Sequence, residues 1–342
     1  MAHKITNNQS FILISGEGGG LVCLSKYRKE FMGVATICIL LCHTSAYANL
    51  PGVIIAICNL LNIGVDLFLF LSGFGLYYSL VKLNNDRGSL VKWYSHRYLR
   101  IGIPYFLIYG TWNIIACCLH KISIQDALLH ISTISFWTHH DAAWFVALLI
   151  PLYLLAPVCF YLAKQRYGFV YLCLLALCCY IFSAKNIPVN HYDWVYNLQC
   201  GVQRIPGFLL GFALAPFAKK GYCANGLEWL AIPIVLMVIL YLGGGYSLWI
   251  MVIPLLFICV ILFERLNKRV LAFLGFMGGI SLESYLTNGL LGQFFMANID
   301  IFNATGLNHN NYLMYATTIL AGVIISYAIS KFSNRIINQY HL

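Results

Sequence analysis

Charge is what this sequence has least of. Asp, Glu, Lys and Arg make up 9% of its 342 residues while 61% are hydrophobic, and the mean hydropathy is +0.78. A soluble domain carries charge on roughly a quarter of its residues, so a water-soluble class is excluded. Acidic residues are the scarcer half, eleven against twenty-one basic, which leaves a net charge of +10. That balance raises nucleic acid as a partner. The basic residues, however, fall in short clusters between apolar runs, as cytoplasmic loops of multispanning proteins do, and no nucleic-acid partner is expected.

Other features are missing too. The thirteen cysteines lie mostly inside apolar runs, among them Cys38, Cys42, Cys117, Cys118, Cys173, Cys178, Cys179 and Cys259. Their spacing matches neither a metal site nor a disulfide scaffold, so they read as small packing residues and no metal is expected. The apolar stretch 11–14 is too short for the core of a signal peptide. Gly16-Glu17-Gly18-Gly19-Gly20 lacks the strand that precedes a phosphate-binding loop. No internal repeat of the secondary-transporter type is visible. Residues 1–25 read as a flexible extension, 26–335 as one membrane domain and 336–342 as a tail.

What is present is a series of apolar runs near the ~20 residues that a helix needs to cross hydrocarbon. Ten spans are expected: 31–47, 60–81, 101–119, 143–163, 169–183, 203–217, 227–242, 246–263, 276–297 and 312–332. The fold class is therefore an all-α integral membrane protein of about ten transmembrane helices. With both termini cytoplasmic, eighteen of the twenty-one Lys and Arg fall on the cytoplasmic side, in accord with the positive-inside rule. The amphipathic stretch 128–137 is too short to span and is expected at an interface.

Ionisable groups at membrane depth are costly and so are candidate functional residues. His43 lies toward the outer end of the first span, Asp66 opens the second and Glu283 lies in the ninth. An imidazole titrating near neutrality suits a general base, and equally a packing histidine. For Asp66 the alternative is a helix cap, and for Glu283 a polar cross-helix contact. Arg97 and Arg100 share a helix face; two guanidinium forks suit phosphate, and also anionic lipid headgroups. In the outer loops, His139-His140-Asp141 and His191-Tyr192-Asp193 read as aromatic-belt surroundings or as a sugar or metal site.

The string Gly64-Val65-Asp66-Leu67-Phe68, closed by Ser72-Gly73-Phe74, resembles the second-span signature of acyltransferase family 3, bacterial membrane acyltransferases with ten core spans. Further stretches agree in order. They are Gly33 with His43, His96-Arg97-Tyr98-Leu99-Arg100 with Pro104-Tyr105, and Ala143-Trp144-Phe145 with Tyr153-Leu154-Leu155-Ala156-Pro157. Arg204-Ile205-Pro206-Gly207-Phe208-Leu209-Leu210-Gly211 and the stretch 280–286 complete the set.

The resemblance implies a multi-pass protein of the bacterial inner membrane. It would pass an acyl group, usually acetyl from cytoplasmic acetyl-CoA, to a hydroxyl of an envelope glycan or lipid-linked glycan. The resemblance implies His43, Asp66 and Glu283 as catalytic residues and Arg97 and Arg100 as CoA ligands, with Arg28, outside the matched positions, as a third. Ser72, Trp144, Tyr153, Arg204 and Tyr285 would contact substrate. Two positions depart from the pattern. Met32 stands where the family has an arginine, with Arg28 one turn earlier, about 6 Å along the axis; Asn288 stands where a histidine is common. A transporter for a small polar solute, or a catalytically impaired member that binds partners, are the other readings.

Overall fold

Prolines, glycines and caps set the breaks in an otherwise helical chain. A computed structural model describes residues 22–45, 50–139, 143–184, 194–220, 235, 248–297 and 311–339. Among these residues every regular element is helical. In order they are α1 (Val22–Lys26), α2 (Arg28–Ser45), α3 (Gly52–Leu60), α4 (Ile63–Asn85), α5 (Leu90–Tyr105), α6 (Thr111–Cys118), α7 (Ile124–Ile131), α8 (Ile134–His139) and α9 (Trp144–Lys164). There follow α10 (Gly168–Ala184), α11 (Trp194–Val202), α12 (Ile205–Lys219), α13 (Val252–Arg265), α14 (Lys268–Gly279), α15 (Ser281–Ala297) and α16 (Asn311–Gln339).

Local chemistry explains several boundaries. The Ser89 side chain caps α5 by accepting from the Lys92 N–H. Ser123 and Asp126 form a capping box at α7, which satisfies two N–H groups that the first turn leaves without helical partners. Pro104 removes the N–H that the Arg100 carbonyl would accept, and the chain passes directly into a π turn over Phe106–Gly110. Between α14 and α15 the axis bends by 67°.

Among the described residues, five helical stretches are long and apolar enough to cross a membrane, and a sixth if the bent α14–α15 pair counts as one. They are Gly52–Asn85, Leu90–Cys118, α9, Trp194–Lys219 and Tyr312–Gln339. The remaining expected spans have physical reasons for not qualifying. The first, α2, holds Arg28, Lys29 and Glu30 within its 18 residues. The fifth, α10, is 17 residues long and the eighth, α13, is 14. The seventh expected span, 227–242, lies almost wholly outside the described residues. The ninth begins inside α14 and includes the bend. The expected interfacial stretch 128–137 falls on α7 and α8, where Leu128 is exposed.

Two close helix crossings organise the bundle. Gly33 of α2 meets the Leu274 carbonyl of α14, and Gly278 meets the Lys29 carbonyl in return. On α4, Gly73 meets the Phe208 carbonyl of α12, while Gly211 of α12 meets the Phe70 carbonyl. At each position a Cβ would collide with backbone, so only glycine permits the approach. Lipid tails supply no hydrophobic force between helices, and intimate packing of this kind replaces it. Helix α4 is buried without interruption from Gly64 to Phe74 and forms the centre of the bundle. Leu154, Leu155 and Val158 of α9, Leu174 and Ile181 of α10, and Leu320 and Ile324 of α16 are exposed apolar side chains, a surface that suits hydrocarbon.

Cys23 and Leu24 of α1 are buried in the same core as α4. At the other terminus α16 continues to Gln339, with Ile337 buried.

Candidate functional site

A cavity of about 210 Å³ opens among α2, α4, α5, α9, α15 and α16. Arg28, Lys29, Arg97 and Arg100 give it a basic wall, and Tyr153, Ser72, Glu283 and Tyr285 also line it. The chain thus gathers seven separately expected residues around one space. They come from five helices that are distant in sequence.

The arginines are held in different ways. The Arg28 side chain reaches α4, where Nη2 donates to the Leu71 carbonyl at 3.4 Å. Gly75 makes that reach possible, since a Cβ there would fall on the Arg28 guanidinium. Met32 lines the same cavity. The arginine one turn earlier therefore delivers its head group to the space that Met32 borders. Arg97 Nη2 donates to Ser79 Oγ at 2.5 Å, and Trp93 Nε1 donates to the same oxygen at 2.6 Å. The Trp93 ring lies 5.8 Å from the guanidinium carbon. Arg97 Nε is buried with no hydrogen-bond partner among the described residues. Arg100 is exposed.

Glu283 lies in the first turn of α15, just past the bend, where it accepts from Ser333 Oγ of α16 at 3.3 Å. It borders the basic cavity. Asn334 and Ile337 of α16 line the same wall.

At its other end the cavity meets aromatic rings. Phe145 lies in the first turn of α9 and Tyr153 lies eight residues on, about 12 Å along the axis, so Phe145 marks the end remote from the arginines. Phe68, Phe145 and Tyr285 all line the cavity; the Phe68 and Phe145 centroids are 6.1 Å apart, and those of Phe145 and Tyr285 5.1 Å. The Phe145 N–H donates to Tyr285 Oη at 3.3 Å. The His43 ring packs edge-on to Tyr285, with centroids 6.2 Å apart, and is not part of the cavity wall. Trp144 stacks edge-on against Phe145 at 5.9 Å and is likewise outside the wall.

Asp66 and Arg204 form a separate pair. Arg204 Nη1 donates to Asp66 Oδ2 at 2.5 Å, joining the break between α11 and α12 to the first turn of α4. Asp66 is 1% exposed and its Oδ1 has no partner among the described residues. Arg204 is also within electrostatic reach of His43. Next to His43, Thr44 Oγ1 accepts from Asn288 Nδ2 at 2.9 Å, so α15 meets this part of α2 through both Tyr285 and Asn288.

The model of an acyltransferase domain, acyltransferase family 3, matches residues 33–331. The chain belongs to acyltransferase family 3. The match covers nearly the whole chain, and it supports a membrane acyltransferase with an acyl donor. Comparison with curated proteins and with solved structures returned no match.

Within this family member, sequence reasoning passed over Gly75, Ser79, Asn334 and Ile337. Ser79 lies seven residues after Ser72 on α4, two turns along the same face, and that spacing was the available signal. The loop clusters at 139–141 and 191–193 fall outside the described side chains. Among the described residues no three His, Cys, Asp or Glu side chains gather to hold a metal ion.

Proposed function

We propose that this chain is an O-acyltransferase that takes acetyl from acetyl-CoA at the basic end of the cavity. It passes the acetyl group to a hydroxyl of an envelope glycan, free or lipid-linked, at the opposite face. The observation that carries this reading is the cavity itself, with guanidinium groups at one end and, at the other, a tyrosine ring packed on His43.

The dimensions suit the donor. Pockets that enclose a whole ligand run to about 300–1,000 Å³, and this one is about 210 Å³. It fits the slim pantetheine arm, leaving the nucleotide phosphates at the mouth with Arg28, Arg97 and Arg100, whose planar forks match phosphate oxygens. The N-terminus of α15 opens on the same space through Ser281 and Leu282 and adds a positive dipole end. The positive-inside distribution of Lys and Arg supports a cytoplasmic position for this end, in a ten-span arrangement with both termini on that side.

In the reaction His43 removes the proton of the acceptor hydroxyl as its oxygen attacks the thioester carbonyl. The C–O bond forms, the C–S bond breaks and the proton passes from His43 to the CoA thiolate. Asp66 serves this centre by fixing Arg204 near His43, where the guanidinium can meet negative charge developing on the carbonyl oxygen. Glu283 orders the donor end by tying α15 to α16 through Ser333.

The test uses membranes containing the full chain and acetyl-CoA labelled in the acetyl group. Label is expected in the glycan fraction, and it is expected to disappear in a folded His43→Ala variant. A variant that transfers as well as the parent sinks the role of His43, and no transfer by the parent sinks the reading.

A further inference from the structure

The cavity ends on three rings, and His43 stands behind one of them. Phe68, Phe145 and Tyr285 are buried, at 4%, 6% and 5% exposure, and their centroids lie within contact range of one another along the row. Their positions on α4, α9 and α15 differ from those of the arginines. Phe145 is two helical turns beyond Tyr153, and Phe68 one turn beyond Ser72. An acyl chain that enters from the basic mouth therefore meets these rings last. Between the cavity and the imidazole stands the Tyr285 ring, 6.2 Å from His43 and fastened through its hydroxyl to the Phe145 N–H.

We propose that Phe68, Phe145 and Tyr285 form the acyl-length filter of this enzyme, admitting short acyl thioesters to His43 and excluding longer ones. This rests on the acyltransferase reading above and adds to it the residues that define the donor class. The rings act by volume. The protein interior is close-packed, so each methylene added to the acyl group must displace ring atoms. The bond from the Phe145 N–H to Tyr285 Oη holds two of the three rings in register, so the Tyr285 ring turns aside to let an acyl group reach the imidazole only by giving up that bond. A small acyl group needs a small displacement. Removing a ring would lengthen the space without touching the arginines that hold the phosphates.

The experiment compares acetyl-, butyryl- and octanoyl-CoA as donors with the full chain in proteoliposomes or native membranes. It measures kcat/KM for label transfer and, separately, binding of each thioester by displacement of labelled CoA. One methylene in an apolar pocket is typically discriminated by about 10–200-fold. The parent should therefore prefer acetyl over butyryl by at least about tenfold, and Phe145→Ala or Phe68→Ala should move that ratio toward butyryl by a similar factor. Phe145→Leu, a milder truncation, carries the test if an alanine variant does not fold. Tyr285→Phe removes the hydroxyl tether alone and should relax the length preference less than Phe145→Ala. Variants that keep the parent's length profile while still transferring acetyl would overturn the proposal. If the parent transfers no label from any donor, the acyltransferase reading fails by itself. The filter is then decided on binding alone: a parent that binds the three thioesters equally, or binds none of them, overturns it.

Discussion

The guanidinium of Arg28 occupies the space that a side chain at position 75 would fill: a Cβ on Gly75 would fall on its Nη2, Nε and Cζ atoms. An arginine four residues before Met32 thereby reaches the cavity that Met32 lines. The contact also makes Gly75 a handle on Arg28. Substituting Gly75→Ala places a methyl group against the far end of a flexible side chain, so the guanidinium moves while the helix crossing is kept. Charge-assisted hydrogen bonds contribute about 1.5–3 kcal/mol. CoA affinity should therefore fall about tenfold or more in Gly75→Ala, with little change in thermal stability. In the double variant with Arg28→Ala the two losses should not add, because both remove the same contact. Additive losses in CoA titrations would show that Gly75 does not act through Arg28.

This contact also shows where the sequence is legible and where it is not. His43, Asp66 and Glu283 stood out because a polar group at membrane depth is rare against an apolar background, and Arg97 because it shares a helix face with Arg100 in a basic stretch. Gly75 and Ser79 carry no such contrast, since small residues are common in membrane helices for packing alone; their part emerges only when Arg28 and Arg97 are seen to lie on them. Hydropathy marked where apolar runs begin and end, but it does not report direction. The 67° turn between α14 and α15, which puts Glu283 beside the basic wall, therefore stayed hidden. The same limit hid Asn334 and Ile337. The last helix continues beyond its apolar stretch, held by the Ser333 hydroxyl on Glu283, and Asn334, past the expected span, and Ile337, in the expected tail, line the cavity.

The pair between Asp66 and Arg204 leads to a stability prediction with a clear asymmetry. Asp66 is 1% exposed and Arg204 is its ion-pair partner. Taking away the cation, as in Arg204→Met, leaves a carboxylate buried with no counter-charge, and breaking a buried pair in this way typically costs about 3–5 kcal/mol. Replacing both residues, Asp66→Leu with Arg204→Met, removes the charge as well as its partner and should restore most of the lost stability. Thermal unfolding of the detergent-solubilised chain checks this. A double variant no more stable than Arg204→Met would mean that the pair does not behave as one unit. Acyl transfer should stay low in both, since stability is recovered without returning Arg204 to His43.

The glycines of the helix crossings separate packing from propensity. Gly33 lies against the Leu274 backbone of α14, where any Cβ would strike a carbonyl that cannot move without moving its helix. Gly102 sits within α5 and has nothing within 4 Å of the position its Cβ would take. Both are helical glycines, so intrinsic propensity favours alanine at each by about 0.5–1 kcal/mol. Gly102→Ala should therefore leave the melting temperature unchanged or raise it slightly. Gly33→Val should lower it, because forcing extra atoms into a well-packed contact costs about 1–3 kcal/mol or more and here the contact is backbone. The same variant should also impair CoA binding, since α2 carries Arg28 and α14 leads into the bend that places Glu283. Equal melting temperatures for the two variants would show that the α2–α14 crossing is looser than the fit of Gly33 and Gly278 requires.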